Sequence, residues 1–102
     1  MKRVSLWALL GWTALSTLAI TAQASETQTR TWAAACATCH GTQGVSLGGI
    51  PSLAGVDKAQ LLQKLLAYQQ GTLPASVMHQ HAKGYTAAEL ERLADFFSRQ
   101  PR

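Results

Sequence analysis

Cys36-Ala37-Thr38-Cys39-His40 sets two thiols three residues apart and puts an imidazole directly after the second. C-x-x-C-H is the attachment pattern of c-type haem. The spacing has a mechanical reason. Thiols near the end of a helix reach the two vinyl groups of one porphyrin and form thioethers. The next residue then projects its imidazole at the iron from the same side, and the rest of the chain has to close over the other face. Two other uses of C-x-x-C fit less well. A disulfide oxidoreductase needs a βαβ setting, and the chain offers no convincing strand. A structural zinc site needs four ligands, and His79 and His81, with one residue between them, are poorly spaced to complete one.

Working outward toward the N-terminus, the 102-residue chain opens with Met1-Lys2-Arg3. An uncharged apolar run from Val4 to about Ile20 follows, and then Ala22-Gln23-Ala24. A positive start, an apolar stretch and a small-x-small site read as an export signal over residues 1–24, cleaved after Ala24. The run is close to the lower limit of about 17–20 residues for a membrane span, so a retained anchor is the alternative. Export would place residues 25–102 in the periplasm. Two thiols there would ordinarily oxidise to each other, which makes their use on a haem the more telling. A single domain of this size buries a marginal core unless a staple assists it. Without Lys2 and Arg3, seven Lys/Arg face five Asp/Glu, a net charge of about +2 with no dense run of either sign. Nucleic acid and membrane surfaces are therefore not the expected partners.

Three helical stretches can be read beyond the leader. The first runs from about Glu26 to Cys36, with Ser25 as cap and Ala33-Ala34-Ala35 as strong helix formers. Trp32 lies four residues before Cys36 and is expected to pack on the last helix, against Phe96 or Phe97. The second follows Asp57, carries Leu61, Leu62, Leu65 and Leu66 at helical spacing, and ends near Gln70 before Gly71. The third begins at Thr86-Ala87-Ala88-Glu89, a capping box, with Tyr85 placed to staple onto Leu90. Its inner face would be Leu90, Leu93, Ala94, Phe96 and Phe97. Residues 41–55 and 71–84 read as irregular, and both segments are long for so small a domain, as functional loops are.

The second segment contains Met78, the only methionine beyond the leader. A thioether there can bind iron opposite His40, and Met/His ligation raises the reduction potential. His79 and His81 are the competing ligands. Pro51 lies eleven residues after His40; it either offers a backbone carbonyl to the second imidazole nitrogen or merely shapes a turn.

Beyond the motif itself, Ile50-Pro51-Ser52-Leu53-Ala54-Gly55 resembles the P-x-L-A-G stretch of the cytochrome c4 type. Val77-Met78, Ala82-Lys83-Gly84-Tyr85 and Leu93-Ala94-Asp95-Phe96-Phe97 together resemble the haem domain of flavocytochrome c sulfide dehydrogenase. The chain is thus similar to a class I cytochrome c over nearly all of residues 25–102. The resemblance implies an all-α domain of three to four helices around one covalent haem c. Cys36 and Cys39 match the thioether residues, His40 the proximal ligand and Met78 the distal one. Pro51 matches the proline whose carbonyl supports the proximal histidine. His79 and His81 depart from the family, which usually has a small and an apolar residue there, and the single-haem length departs from its dihaem members. The implied function is transfer of single electrons, without bond-making chemistry, as haem subunit or acceptor of a sulfide- or sulfur-oxidising flavoprotein. A free shuttle of the cytochrome c4 or c5 kind is the alternative, and a small peroxidase-like haem protein a more distant one.

Overall fold

The computed structural model describes the chain from residue 7 onward, with side chains at residue 23 and from residue 25 onward. Four α helices and one short 3-10 turn follow one another, and no strand forms among the described residues. The architecture is all-α, as the sequence leads one to expect. The leader and its cleavage site after Ala24 fall largely outside the described residues. No helix among the described residues is long and apolar enough to cross a membrane.

Helix α1 (Trp7–His40) is longer than its capping signals suggest. From Thr13 to His40 the chain has neither Gly nor Pro, so nothing interrupts the hydrogen-bond ladder, and Ser25 is passed without acting as a cap. The helix stops after His40 because Gly41 turns to φ 87°. A 3-10 turn (Thr42–Gly44) follows, closed by Gly44 N–H donating to Gly41 O at 2.8 Å.

Helix α2 (Lys58–Gln70) begins where the Asp57 carboxylate accepts from Gln60 N–H at 3.0 Å. It ends at Gly71, whose φ of 76° lets the chain leave in the left-handed conformation. Helix α3 (Met78–Lys83) lies inside a segment that reads as irregular from sequence. Six residues without a side-chain cap carry little signal of their own, and a helix so short depends on tertiary packing. Helix α4 (Ala87–Ser98) opens with the full capping box. Glu89 accepts from Thr86 N–H at 2.8 Å, and Glu89 N–H donates to Thr86 Oγ1 at 3.2 Å.

The core is small and centres on α4. Leu90, Leu93, Ala94, Phe96 and Phe97 are buried with Ala33 of α1 and Leu61 of α2. Trp32, Cys36, Leu53, Leu62, Leu65, Leu66 and Tyr85 pack half-buried around them. Each fully buried large aliphatic chain contributes about 1.5–3 kcal/mol relative to exposure, and Leu90 alone is large and completely enclosed. Phe96 and Phe97 pair edge to face with each other, ring centroids 5.2 Å apart. Trp32 accordingly takes other partners than the expected phenylalanines. Tyr85 meets its edge at 5.9 Å, and the Arg92 guanidinium of α4 lies 4.8 Å from its ring centroid. Arg92 also donates to the buried Thr29 Oγ1 at 2.7 Å and to Ser25 O, fixing α1 to α4.

Helix α3 packs on α2, α2 on α4, and α4 on α1, while α1 and α3 share no extensive contact. The end of α1 and the start of α3 are therefore joined through the core rather than to each other.

Candidate functional site

Cys36, Cys39 and His40 occupy the last turns of α1. Both thiols are free, Cys36 half-buried and Cys39 exposed. Cys36 Sγ donates to Trp32 O at 3.7 Å, back along its own helix. Burial pushes the Cys36 thiol above its ordinary pKa, and a backbone hydrogen bond partly offsets the rise. A neutral thiol in apolar surroundings is a poor free nucleophile and makes a poor redox thiol.

His40 is held by one contact that settles its tautomer. Its Nδ1 lies 2.7 Å from Pro51 O. A carbonyl only accepts, so Nδ1 carries the hydrogen and Nε2 keeps the lone pair. The loop that delivers Pro51 is built on glycines. A Cβ on Gly41 would lie 1.9 Å from Val45 O, so no side chain fits where the chain folds back. Gly44, at φ 81°, accepts from both Leu53 N–H and Ala54 N–H through its carbonyl, at 2.8 and 3.1 Å. Its missing side chain leaves room for Phe97, whose Cδ1 would be 2.8 Å from a Cβ there. Gly55 N–H donates to Phe97 O at 3.0 Å and ties the far end of the loop to α4. Sequence reading gives residues 41–55 only as an irregular segment, because the positive φ values of these glycines become visible only in the fold.

Met78 is the first residue of α3 and half-buried; Val77 before it is exposed. His79 is half-buried, and its Nδ1 is enclosed without a hydrogen-bond partner among the described residues. His81 is exposed. Among the described residues no three His, Cys, Asp or Glu side chains converge on a common point, so the two histidines do not complete a zinc site with the cysteines.

These residues fit a haem. Two unpaired thiols and an imidazole with a free Nε2 lie together at one helix end. The leucine face of α2 is only partly covered by protein, at Leu62, Leu65 and Leu66. Among the described residues the large exposed apolar side chains, Val45, Leu47, Ile50 and Val77, belong to the two segments that carry Pro51 and Met78. The part-exposed Val45, Ile50 and Val77 are the kind of surface that a large flat hydrophobic group would cover.

Two contacts at the site had no sequence signal. Gln69 Nε2 donates to Tyr85 O at 2.6 Å, and Arg102 Nη2 donates to Gly55 O at 2.9 Å. Each is a side chain reaching a distant backbone carbonyl, and neither spacing nor periodicity announces such a bond.

A family model described as cytochrome c oxidase, cbb3-type, subunit III matches residues 23–97. Among known proteins, the chain is 40% identical over 62 residues to the cytochrome subunit of sulfide dehydrogenase from Chlorobaculum tepidum, covering 61% of this chain and 56% of that one. It is 36% identical over 64 residues to cytochrome c-552 of Acidithiobacillus ferridurans, covering 63% of this chain and 28% of the relative. It is 35% identical over 69 residues to the thiosulfate dehydrogenase electron acceptor of Thiomonas intermedia, covering 66% and 32%. The matched stretch thus spans between about a quarter and just over half of the length of these curated relatives. Since the family match runs from before the C-x-x-C-H turn of α1 to Phe97 of α4, the chain belongs to the cytochrome c oxidase cbb3-type subunit III family, and it is a class I cytochrome c, a haem c protein similar to the cytochrome subunit of sulfide dehydrogenase.

Proposed function

We propose that this protein is a periplasmic carrier of single electrons with one covalently bound haem c, serving a flavoprotein dehydrogenase that oxidises sulfide or a related sulfur compound. The observation that carries the reading is the His40 Nδ1 contact to Pro51 O at 2.7 Å, beside two free thiols in the same stretch of helix. Haem iron supplies reversible one-electron chemistry when bound. Cys36 and Cys39 hold the group by thioethers. His40 binds iron through Nε2, and the Pro51 carbonyl orients the ring and makes it the stronger donor. Met78 would be the second protein ligand to the iron. Leu62, Leu65 and Leu66 exclude water from the apolar side of the pocket. No side chain is required to move a proton or to attack a substrate. The leader over residues 1–24 delivers the chain to the periplasm and is removed after Ala24.

Two relatives are named for sulfide and thiosulfate dehydrogenases, which supports a dehydrogenase as the partner. Charge supports a docked partner over a steered one. A net charge near +2 on the exported part gives little field to guide encounter, whereas Leu47 is a fully exposed apolar side chain. An uncharged contact through Leu47 suits a subunit that stays bound. The test is reduction of the holoprotein by the sulfide-oxidising flavoprotein at low and high salt, with wild type and Leu47→Asp. Association that is insensitive to salt and about tenfold or more weaker in Leu47→Asp is expected, the loss typical of one central apolar anchor. Fast, strongly salt-dependent reduction by a quinol-oxidising complex, with no flavoprotein association, would make the protein a free shuttle instead.

A further inference from the structure

Helix α3 starts at Met78 and has little to hold it in place by itself. Its N-terminus has no side-chain cap, and its length is below what is stable alone. Its outward end is fixed far better than its start. Ala82 is almost completely buried. Tyr85 N–H donates to Ala82 O at 3.3 Å, and Gly84 N–H donates to His81 O at 3.1 Å, closing the turn behind the helix. Tyr85 then joins two further elements. Its carbonyl accepts the short 2.6 Å bond from Gln69 of α2, and its ring meets Trp32 of α1 edge to face at 5.9 Å. Trp32, Cys36 and His40 follow one another at four-residue intervals, so they lie along one ridge of α1. The edge-to-face contact with Trp32 sets Tyr85 against that ridge, one turn before Cys36. α1 and α3 share no extensive contact of their own, and Tyr85 links α1 directly to the turn that follows α3, beside the longer route through α2 and α4.

We infer that Gln69 and Tyr85 form a clamp that sets the distance between α3 and the Cys36–His40 ridge, and thereby holds Met78 on the iron. The inference rests on Met78 being the distal ligand. Gln69 and Tyr85 act through Met78 and are positioning residues. The Gln69 amide reaches a backbone carbonyl, so its loss frees the turn behind α3 while leaving the Trp32–Tyr85 ring contact and the buried Ala82 intact. Met78 then leaves the iron more often, and an added ligand finds the position open in proportion.

The experiment is a titration of the ferric holoprotein with imidazole, followed by the shift of the main haem absorption band and, where present, by loss of the far-red thioether-to-iron band, in wild type, Gln69→Leu, Tyr85→Ala and Met78→Ala. Gln63→Leu, an exposed position on the same helix, serves as control. Gln69→Leu is expected to bind imidazole about fivefold more tightly than wild type, the ratio set by one lost hydrogen bond of ordinary strength. Tyr85→Ala should move further in the same direction, and Gln63→Leu should match wild type. If Gln69→Leu lowers the thermal midpoint but binds imidazole as wild type does, while Met78→Ala binds it far more tightly, the bond is merely structural and the clamp is wrong. If Met78→Ala itself keeps the far-red band and the wild-type affinity, the ligand assignment falls, and the clamp falls with it for that separate reason.

Discussion

Met78 and His79 are neighbours on one helix, so their side chains project about 100° apart and cannot both face the same atom without α3 turning. The enclosed, unpartnered Nδ1 of His79 carries a cost of the order of 1–3 kcal/mol, and it makes His79 the serious competitor for the distal position. The exposed His81 is a weaker one. Spectra and potentials decide between them. Met78→Ala should abolish the far-red band and lower the reduction potential by about 0.1 V or more, a modest part of the roughly 0.8 V that axial ligands command. His79→Ala should keep both the band and the potential close to wild type. The opposite pattern would move the ligand by one residue. At this scale the joint placement of Cys36, Cys39 and His40 at one helix end was legible in sequence, because three residues within about one and a half turns share the same stretch of helix. The role of Trp32 was legible only in outline. It does lie against α4, but Phe96 and Phe97 pair with each other and Phe97 packs on Gly44, so Tyr85 and Arg92 take the indole.

Helix starts were readable where a side chain performs the capping. Asp57 and Thr86 both do so, and α2 and α4 begin one residue after them. Thr86→Ala removes one side of the capping box, and the cost should be about 1 kcal/mol, measured as a lower denaturant midpoint with an unchanged slope. A midpoint equal to wild type would mean that tertiary packing alone fixes the start of α4. Where no capping side chain exists, sequence reading failed in both directions. Helix α3 was missed because Met78–Lys83 has no apolar period and owes its shape to α2 and to Ala82. Helix α1 was drawn too short at both ends, because no Gly or Pro interrupts the chain from Thr13 to His40 and the helix continues through a serine that could have capped it. The loop between α1 and α2 is a third case. Its turns depend on Gly41 and Gly44 at positive φ, and spacing alone does not say which glycines of an irregular segment the fold uses as fixed corners.

Taken whole, the molecule has a narrow apolar core on α4, a leucine face on α2 covered only in part, and large apolar side chains left open beside Pro51 and Met78. A core of this size is marginal without a staple, and a covalent haem between α1 and α3 would supply one. The same arrangement leaves little charge and much apolar surface for a partner. All of this depends on the thiols of Cys36 and Cys39 being spent on one porphyrin. Intact mass of the exported protein, combined with its alkaline pyridine haem spectrum after acid-solvent extraction, measures that directly. The account predicts a chain beginning at Ser25 that carries the mass of one haem, retains it through extraction and has no free thiol. A folded, haem-free chain with Cys36 and Cys39 joined as a disulfide, or a haem that the solvent removes, would contradict it.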